Sequence, residues 1–571
     1  MKNTFKKLTT LFLAAMTACA TLSVTACGGG NQLNEEVDEN RTQLYVSYLN
    51  AGYSDRWLAA AKQRFETMYA DYVFEDGKQG VQVVLDPETT SNSAVNMKNK
   101  RAHVWFCEDY RTESFVAAGV MADMTTALTT SLGESYGKDL NGTALPGYAG
   151  ETKSIVGKMS ANEKAYFVLN EGGKDVCYAV PYIDTYNGTL TYDVDVFEDQ
   201  GLYYKADNTL GGRKATGEAL GTGPDGVPNT ADDGLPRTYE EFFEICRIMK
   251  TRGVVPFVWA GNWNHYVTQL ADSLFAQNIG SAQFAAMLKG EGTMKDFIDG
   301  TVADNGTYKI KEETFDASTS ERMYNSAGLY NAVDFIQRIV ENEYYVKENG
   351  FNGAYTHETA QNDFIFGAEI DHDFGFLVDG TWWYNEANKW LENYDKRVDS
   401  IKNRHFAYMA LPKADEATFE RTKGENVVYT SYPTGICVRK GLSKMQQLLA
   451  ETFVRFYCTD ESLAEYTKIV SNPRGLTYSL SHDDFNSLMP YAQSLYGIHT
   501  ASNGYETYKV TQAFSNEVFY RTNAGKFKSF MVSQTSKGQH NNTLQTFYDN
   551  SSMTSVDYFK GILSLNGYSA K

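Results

Sequence analysis

Several kinds of feature are scarce in this chain, and each scarcity excludes something. Of seven cysteines in 571 residues, Cys19 and Cys27 lie in the N-terminal segment, leaving Cys107, Cys177, Cys246, Cys437 and Cys458. That odd number contains no CxxC pair, and Cys246, Cys437 and Cys458 sit in apolar stretches, so the set reads as buried thiols rather than a disulfide frame or a metal site. Eight histidines show no HExxH-like spacing. No GxSxG, Walker or GxGxxG motif is present either. Beyond the N-terminus there is no apolar run of 18 or more residues to span a bilayer. The formal charge of −19 argues against nucleic acid and against adsorption to anionic lipid, since both need clustered Lys and Arg.

Aromatic residues are abundant. They make up 14% of the chain, with 39 Tyr and 32 Phe. Rings in excess of core needs suit stacking on flat, hydroxyl-rich ligands such as sugars, because each offers an apolar face and a polar edge.

The N-terminus carries Lys2, Lys6 and Lys7, an apolar run from Leu8 to Ala20, and then Val24-Thr25-Ala26-Cys27-Gly28. A basic start and a short apolar core read as a secretory signal. The small residues before Cys27 resemble the lipobox of bacterial lipoproteins, which implies that residues 1–27 form a signal with Cys27 as the lipidated first residue of the mature chain. An ordinary secretory signal with an incidental cysteine is the alternative. Residues 28–42, glycine-rich and then acidic, have little to bury and read as a flexible tether. The protein is thus expected at the cell membrane, lipid-anchored and facing the extracellular side or the periplasm. Roughly 530 residues from Gln43 onward suffice for two or three domains.

Alternation of Leu44, Val46 and Tyr48 predicts a half-buried strand, and Val81 to Leu85 a more fully buried one. Between them Trp57, Ala61, Phe65 and Met68 share one face of a helix that starts near Ser54 or Asp55. Val104-Trp105-Phe106 is a third strand, so the order β-α-β-α-β predicts a parallel, doubly wound α/β sheet. Ligands of such sheets sit at the carboxyl ends of strands, which points to the turns at Asn50 to Trp57 and at Cys107 to Arg111. Further on, Thr238 and Glu241 form a capping box, with Phe242, Ile245 and Met249 turned inward behind it. A buried strand over 254–259 leads into Trp259, Asn262 and Trp263, where the chain leaves the sheet. Tyr432 to Val438 reads as a strand before an amphipathic helix carrying Met445, Leu449, Phe453 and Phe456. The stretches 205–235 and 290–321 read as decorations on this plan.

Four segments together resemble extracellular solute-binding proteins of ABC sugar importers, the family-1, maltose-binding-protein-like group. They are Tyr178-Ala179-Val180-Pro181-Tyr182 with Thr191 to Leu202; Pro236-Arg237-Thr238-Tyr239-Glu240-Glu241-Phe242; Phe376-Leu377-Val378-Asp379-Gly380-Thr381-Trp382-Trp383; and Phe406 to Pro412. They occur in family order, and the resemblance covers roughly 43–490. It implies a type II periplasmic-binding-protein fold, with two doubly wound lobes joined by a hinge and closing on a ligand in the cleft between them. One lobe would hold 43–181 plus 431–472, the other 182–430 plus 473–571 with insertions. The partners implied are a carbohydrate, an oligosaccharide above all, and an ABC permease; the chain would act as a monomer with no cofactor required.

By this resemblance Trp382 stands where family members stack a tryptophan on sugar, and Trp383 should point elsewhere. Glu108, Asp109 and Tyr110 align with a binding loop of the family, although His103 replaces the usual Asp before that strand. Tyr53, Asp55 and Trp57 at the first turn, Tyr182 and Asp184 at the crossover, Asp379, Tyr432 on the return strand and Arg474 after Pro473 complete the set with Trp259, Asn262 and Trp263. For each aromatic the competing reading is core packing, and for the carboxylates plain solvation. Separately, Asp225, Asn229, Asp232 and Asp233 lie among tight glycines, an oxygen-rich pattern that suits a structural calcium ion or a plain acidic turn. A surface glycoside hydrolase would need two carboxylates facing each other across the sugar, and a surface glycan-binding lipoprotein uncoupled from transport is the remaining alternative.

Overall fold

The computed structural model describes residues 36–568 apart from breaks at 50–51, 89–93, 109, 111, 187, 214–218, 368–372, 388–403, 429–433, 500–506 and 510–542. Cys27, Asp109 and Tyr432 therefore lie outside the described residues.

The alternating apolar pattern produces β1 (Thr42–Leu49), which pairs in parallel with β2 (Val81–Glu88) and with β3 (Val104–Cys107). Helix α1 (Arg56–Met68) links β1 to β2 and buries Trp57, Leu58, Ala61 and Phe65. Its terminal Met68, expected on the same face, is exposed, since the sheet no longer covers the last turn. The parallel β-α-β-α-β unit is thus present, and two further strands extend it, β4 (Ala179–Pro181) and β9 (Gly435–Val438). β9 is antiparallel to β3 and β4 is antiparallel to β9, giving the order β2-β1-β3-β9-β4. β9 runs against β3 because the chain enters it on its return from the second sheet.

That second sheet has the order β6-β7-β5-β8, from β5 (Thr189–Asp193), β6 (Val255–Val258), β7 (Phe374–Asp379) and β8 (Phe406–Met409). The capping box forms as expected: Glu241 N–H donates to Thr238 Oγ1 at 3.3 Å, and the Thr238 N–H to Glu241 Oε2 at 3.2 Å. The helix it starts, Tyr239–Thr251, buries Phe242, Ile245 and Met249. Three apolar cores form, one on the first sheet and two on the second, of which the smaller joins Phe364, Leu377, Trp383 and Phe406 to Tyr491 and Leu495. The first core takes side chains from 44–183 and 436–496. The second takes them from 190–427 and from the two C-terminal helices, Thr543–Asp549 and Ser555–Leu565. The five cysteines from Cys107 onward are buried thiols. No helix among the described residues is long and apolar enough to cross a membrane.

Three segments pass between the sheets and are laced together. The Ile183 N–H donates to Thr434 Oγ1 at 2.8 Å, and that hydroxyl donates back to Ile183 O at 3.0 Å. Asn472 Nδ2 donates to Asp184 O at 2.7 Å, and the Asp184 N–H to Pro473 O at 3.2 Å. Polar groups buried where no sheet continues need such partners.

Candidate functional site

The two lobes meet where the turn after β1 faces the turn after β7. Gly52 lies against Trp382: a methyl group on Gly52 would stand 3.1 Å from Trp382 Cβ. Asn385 Nδ2 donates to Gly52 O, Arg56 Nη2 reaches Asn385 Oδ1 at 3.5 Å, and Tyr53 and Thr185 share a 2.9 Å hydroxyl contact. Trp382 is half-buried and packs against the edge of the first core, although it belongs to the second lobe. Its indole also covers Gly380, where any side chain would overlap the ring at 2.1 Å. A row of rings runs outward from it: Tyr266 at 6.1 Å, then His265 and Trp263, each in edge contact with the next. Trp263 is 47% exposed at the end of the row. Trp383 turns the other way, into the core, where its Nε1 donates to Thr191 Oγ1 at 2.8 Å.

Acidic groups line the same junction. Asp379, at the end of β7, accepts from the Gly380 N–H at 2.7 Å and from Gln361 Nε2 at 3.1 Å. Gln361 Nε2 also donates to Glu386 Oε2 at 2.7 Å, and His357 Nε2 lies 3.4 Å from Glu386 Oε1. Burial, with Glu386 nearby, pushes the Asp379 carboxyl up to about 7, while its bond to Glu386 raises His357. From the first lobe comes Glu108, after β3. Its Oε1 is enclosed and has no hydrogen-bond partner, and desolvation followed by the charge of Glu386 pushes the carboxyl up to about 8. The hydroxyls of Tyr53, Tyr182 and Tyr466 are close enough to feel that charge.

Other expected contacts are placed inside the lobes. Trp57 is surrounded by Phe106, Tyr182, Tyr457 and Tyr466 at 5.2–5.5 Å, and its Nε1 is satisfied by Ser54 O. Trp259 is wedged between Gly350 and Tyr345 with Nε1 bonded to Gly350 O at 2.8 Å. Tyr110 packs on Phe115 and Phe167 with its hydroxyl on Met121 Sδ. Arg474 is enclosed by Tyr457, Tyr466 and Tyr182, and bonds to the carbonyls of Tyr182 and Tyr457. For each of these four, apolar surroundings and a satisfied polar atom favour the interior over a cleft wall. Asp55 accepts from Tyr48 OH, Asp184 from Tyr186 OH, and Asn262 is exposed beside Trp263.

In the 223–234 loop the carboxylates serve the loop itself. Asp225 accepts from the Val227 N–H, Asp232 from the Asp225 N–H and Thr230 Oγ1, and Asp233 from the Asn229 N–H. Desolvation and then Asp225 push Asp232 up to about 7. Among the described residues no group of three or more His, Cys, Asp or Glu is arranged to hold a metal ion.

Glu386, Gln361, His357, Tyr266 and Tyr466 escaped sequence reasoning. Tyr266 alone carried a local signal, one helical turn after the flagged Trp263.

The model of the family described as bacterial extracellular solute-binding protein matches residues 73–487. Among solved structures, a chitin oligosaccharide binding protein superposes with a TM-score of 0.53 at 13% identity, over 92% of this chain and 98% of that one. A binding protein of an ABC transporter from Bifidobacterium animalis subsp. lactis, in complex with mannobiose, gives 0.50 at 13% identity, over 94% and 98%. No curated protein sequence matches. The architecture is the two-lobed type II fold that the sequence motifs implied.

Proposed function

The chain belongs to the bacterial extracellular solute-binding proteins, and on that footing we propose that it captures a carbohydrate, an oligosaccharide above all, between its lobes and delivers it to an ABC permease in the membrane. The observation that carries this reading is the half-buried Trp382 at the lobe junction, continued outward by Tyr266 and the exposed Trp263. Such a track offers successive ring faces to successive sugar units, while Asp379, Glu386 and Glu108 offer acceptors for hydroxyls. The relatives whose structures the chain resembles support the ligand class by their own ligands. In this reading 43–181 with the return segment forms one lobe, the segment reaching to Leu488 rather than ending at the expected 472; 182–430 with the C-terminal helices forms the other, helix Pro490–His499 packing on both, and Cys27 holds the chain to the outer face of the membrane.

Ligand adds contacts from both lobes and so favours the closed form by its difference in affinity for the two states. A thermal-shift screen of the purified protein against a glycan panel tests the reading, since a ligand bound only by the folded form raises its melting temperature. In the Trp382→Ala variant the affinity for the ligand found should fall by about 2 kcal/mol or more. Unchanged affinity removes Trp382 from the site, and a panel without a single hit removes the carbohydrate. We read the site as one of binding, not turnover, so that a bound oligosaccharide is recovered intact after prolonged incubation.

A further inference from the structure

The second lobe carries a separate pocket of about 470 Å³, within the span of small-molecule sites, about 300–1,000 Å³. None of the side chains at the lobe junction lines it. One wall comes from the end of the helix Ala327–Glu341 and the segment after it, which runs beside β6, the outer strand of the second sheet, where the Phe257 N–H donates to Tyr344 O at 2.8 Å. The other wall is the C-terminal helix Thr543–Asp549 with the turn that follows. That half lies beyond residues 73–487, the part of the chain that the family model matches. Tyr345, Phe547 and Tyr548 bring rings to the pocket, and Glu341, Glu343 and Lys347 bring charges. Phe351 stacks on Tyr548 with centroids 3.7 Å apart and planes 17° apart, and packs on Tyr345 at 5.8 Å. Trp259 backs Tyr345 at 4.9 Å. The rings are thus held from behind, yet Tyr548 is 36% exposed, so with Phe351 covering one face it is the other that stays open. Lys347 pairs with Glu343 at 3.0 Å. The exposed Glu341 carboxylate has no hydrogen bond or ion pair among the described residues.

We propose that this pocket is a second carbohydrate site, which takes one or two neutral sugar units with a C–H face on Tyr548 and hydroxyls on Glu341 and Lys347. A sugar ring combines an apolar face with hydroxyls that both donate and accept, and the pocket offers a ring, an unpaired acceptor and a donor. A wholly apolar ligand would cover Glu341 without giving it a donor. An anion meets two carboxylates, and a cation meets Lys347. Gln545, one helical turn before Tyr548, accepts from Asn264 Nδ2 at 3.1 Å, and Asn264 follows Trp263. The helix that walls the pocket therefore also touches the outer end of the ring row. This inference goes beyond the cleft reading and stands without it.

Saturation-transfer-difference NMR on the purified protein tests it, with glucose, galactose, mannose, N-acetylglucosamine, cellobiose, maltose and chitobiose as probes. At least one should give a saturable signal that persists in Trp382→Ala and is weakened about tenfold or more in Tyr548→Ala. Tyr548→Phe keeps the ring face and should bind as the parent protein does, whereas Glu341→Gln should weaken binding about fivefold. Both positions are exposed, so melting temperatures should stay near that of the parent; if Tyr548→Ala fails to fold, Glu341→Gln decides. Signals that all vanish in Trp382→Ala and survive Tyr548→Ala and Glu341→Gln overturn the inference and leave the cleft reading standing. A panel without any signal that depends on Tyr548 or Glu341 overturns it whether or not the cleft binds, and the cleft is judged separately by its own dependence on Trp382.

Discussion

Gly52 and Trp382 approach closely across the lobe boundary, so that a methyl group on Gly52 would stand 3.1 Å from Trp382 Cβ and press on the ring. Each belongs to a turn at the end of a strand, one in each sheet, so this contact sets how closely the lobes approach. Gly52→Val should keep the lobes apart and weaken ligand binding about tenfold or more while leaving the separate cores intact. The checks are a fluorescence titration and the radius of gyration with ligand, which should stay near its ligand-free value in the variant.

Acidity should stabilise the ligand-free protein. Burial raises the carboxyls of Asp379 and Asp232 to about 7 and of Glu108 to about 8, so the folded state holds protons that the unfolded state has released. Their contribution is complete below the unfolded-state values and is lost as pH climbs through the folded-state values. The melting temperature should therefore fall between about pH 4.5 and 7, and Asp232→Asn should flatten part of that slope. A melting temperature rising over this window would contradict the burial of these groups.

Arg474 should matter for stability more than for ligand. Its guanidinium sits 4.0 Å above the Tyr457 ring and bonds to two buried carbonyls. Arg474→Ala should cost about 3 kcal/mol in urea denaturation, and Lys should rescue little because it lacks the planar fork. Affinity measured on the fraction still folded should change far less.

Cys27→Ser should move the protein from the membrane fraction to the medium, with loss of labelling by a fatty-acid tracer. Retention in the membrane would refute lipid attachment at that residue.

Local physics carried part of the reading. The capping box at Thr238 and Glu241, the burial stripe of α1 and the alternation in β1 depend on neighbours within a few residues, and each was legible from spacing. Trp382 was legible because it follows a strand end in a recognisable motif, and the opposite turn of Trp383 was expected with it. Trp57 was readable both as part of the α1 stripe and as a cleft residue, and Trp259 and Arg474 were not decided, because a ring or guanidinium after a strand end serves a cleft or a core equally well. What decided were partners distant in sequence: Tyr457 and Tyr466 around Trp57, Gly350 and Tyr345 around Trp259.

From its sequence alone the chain determined many of its elements and the parallel unit of the first sheet, since hydrophobic period and turn chemistry act over short range, while the second lobe was implied only by the resemblance of its motifs to a family. Only the tertiary structure decided which side chains meet between the lobes. Gly52 reads as an ordinary turn glycine until it meets Trp382 and Asn385 of the other lobe, and that meeting depends on how separately formed cores dock through three crossing segments.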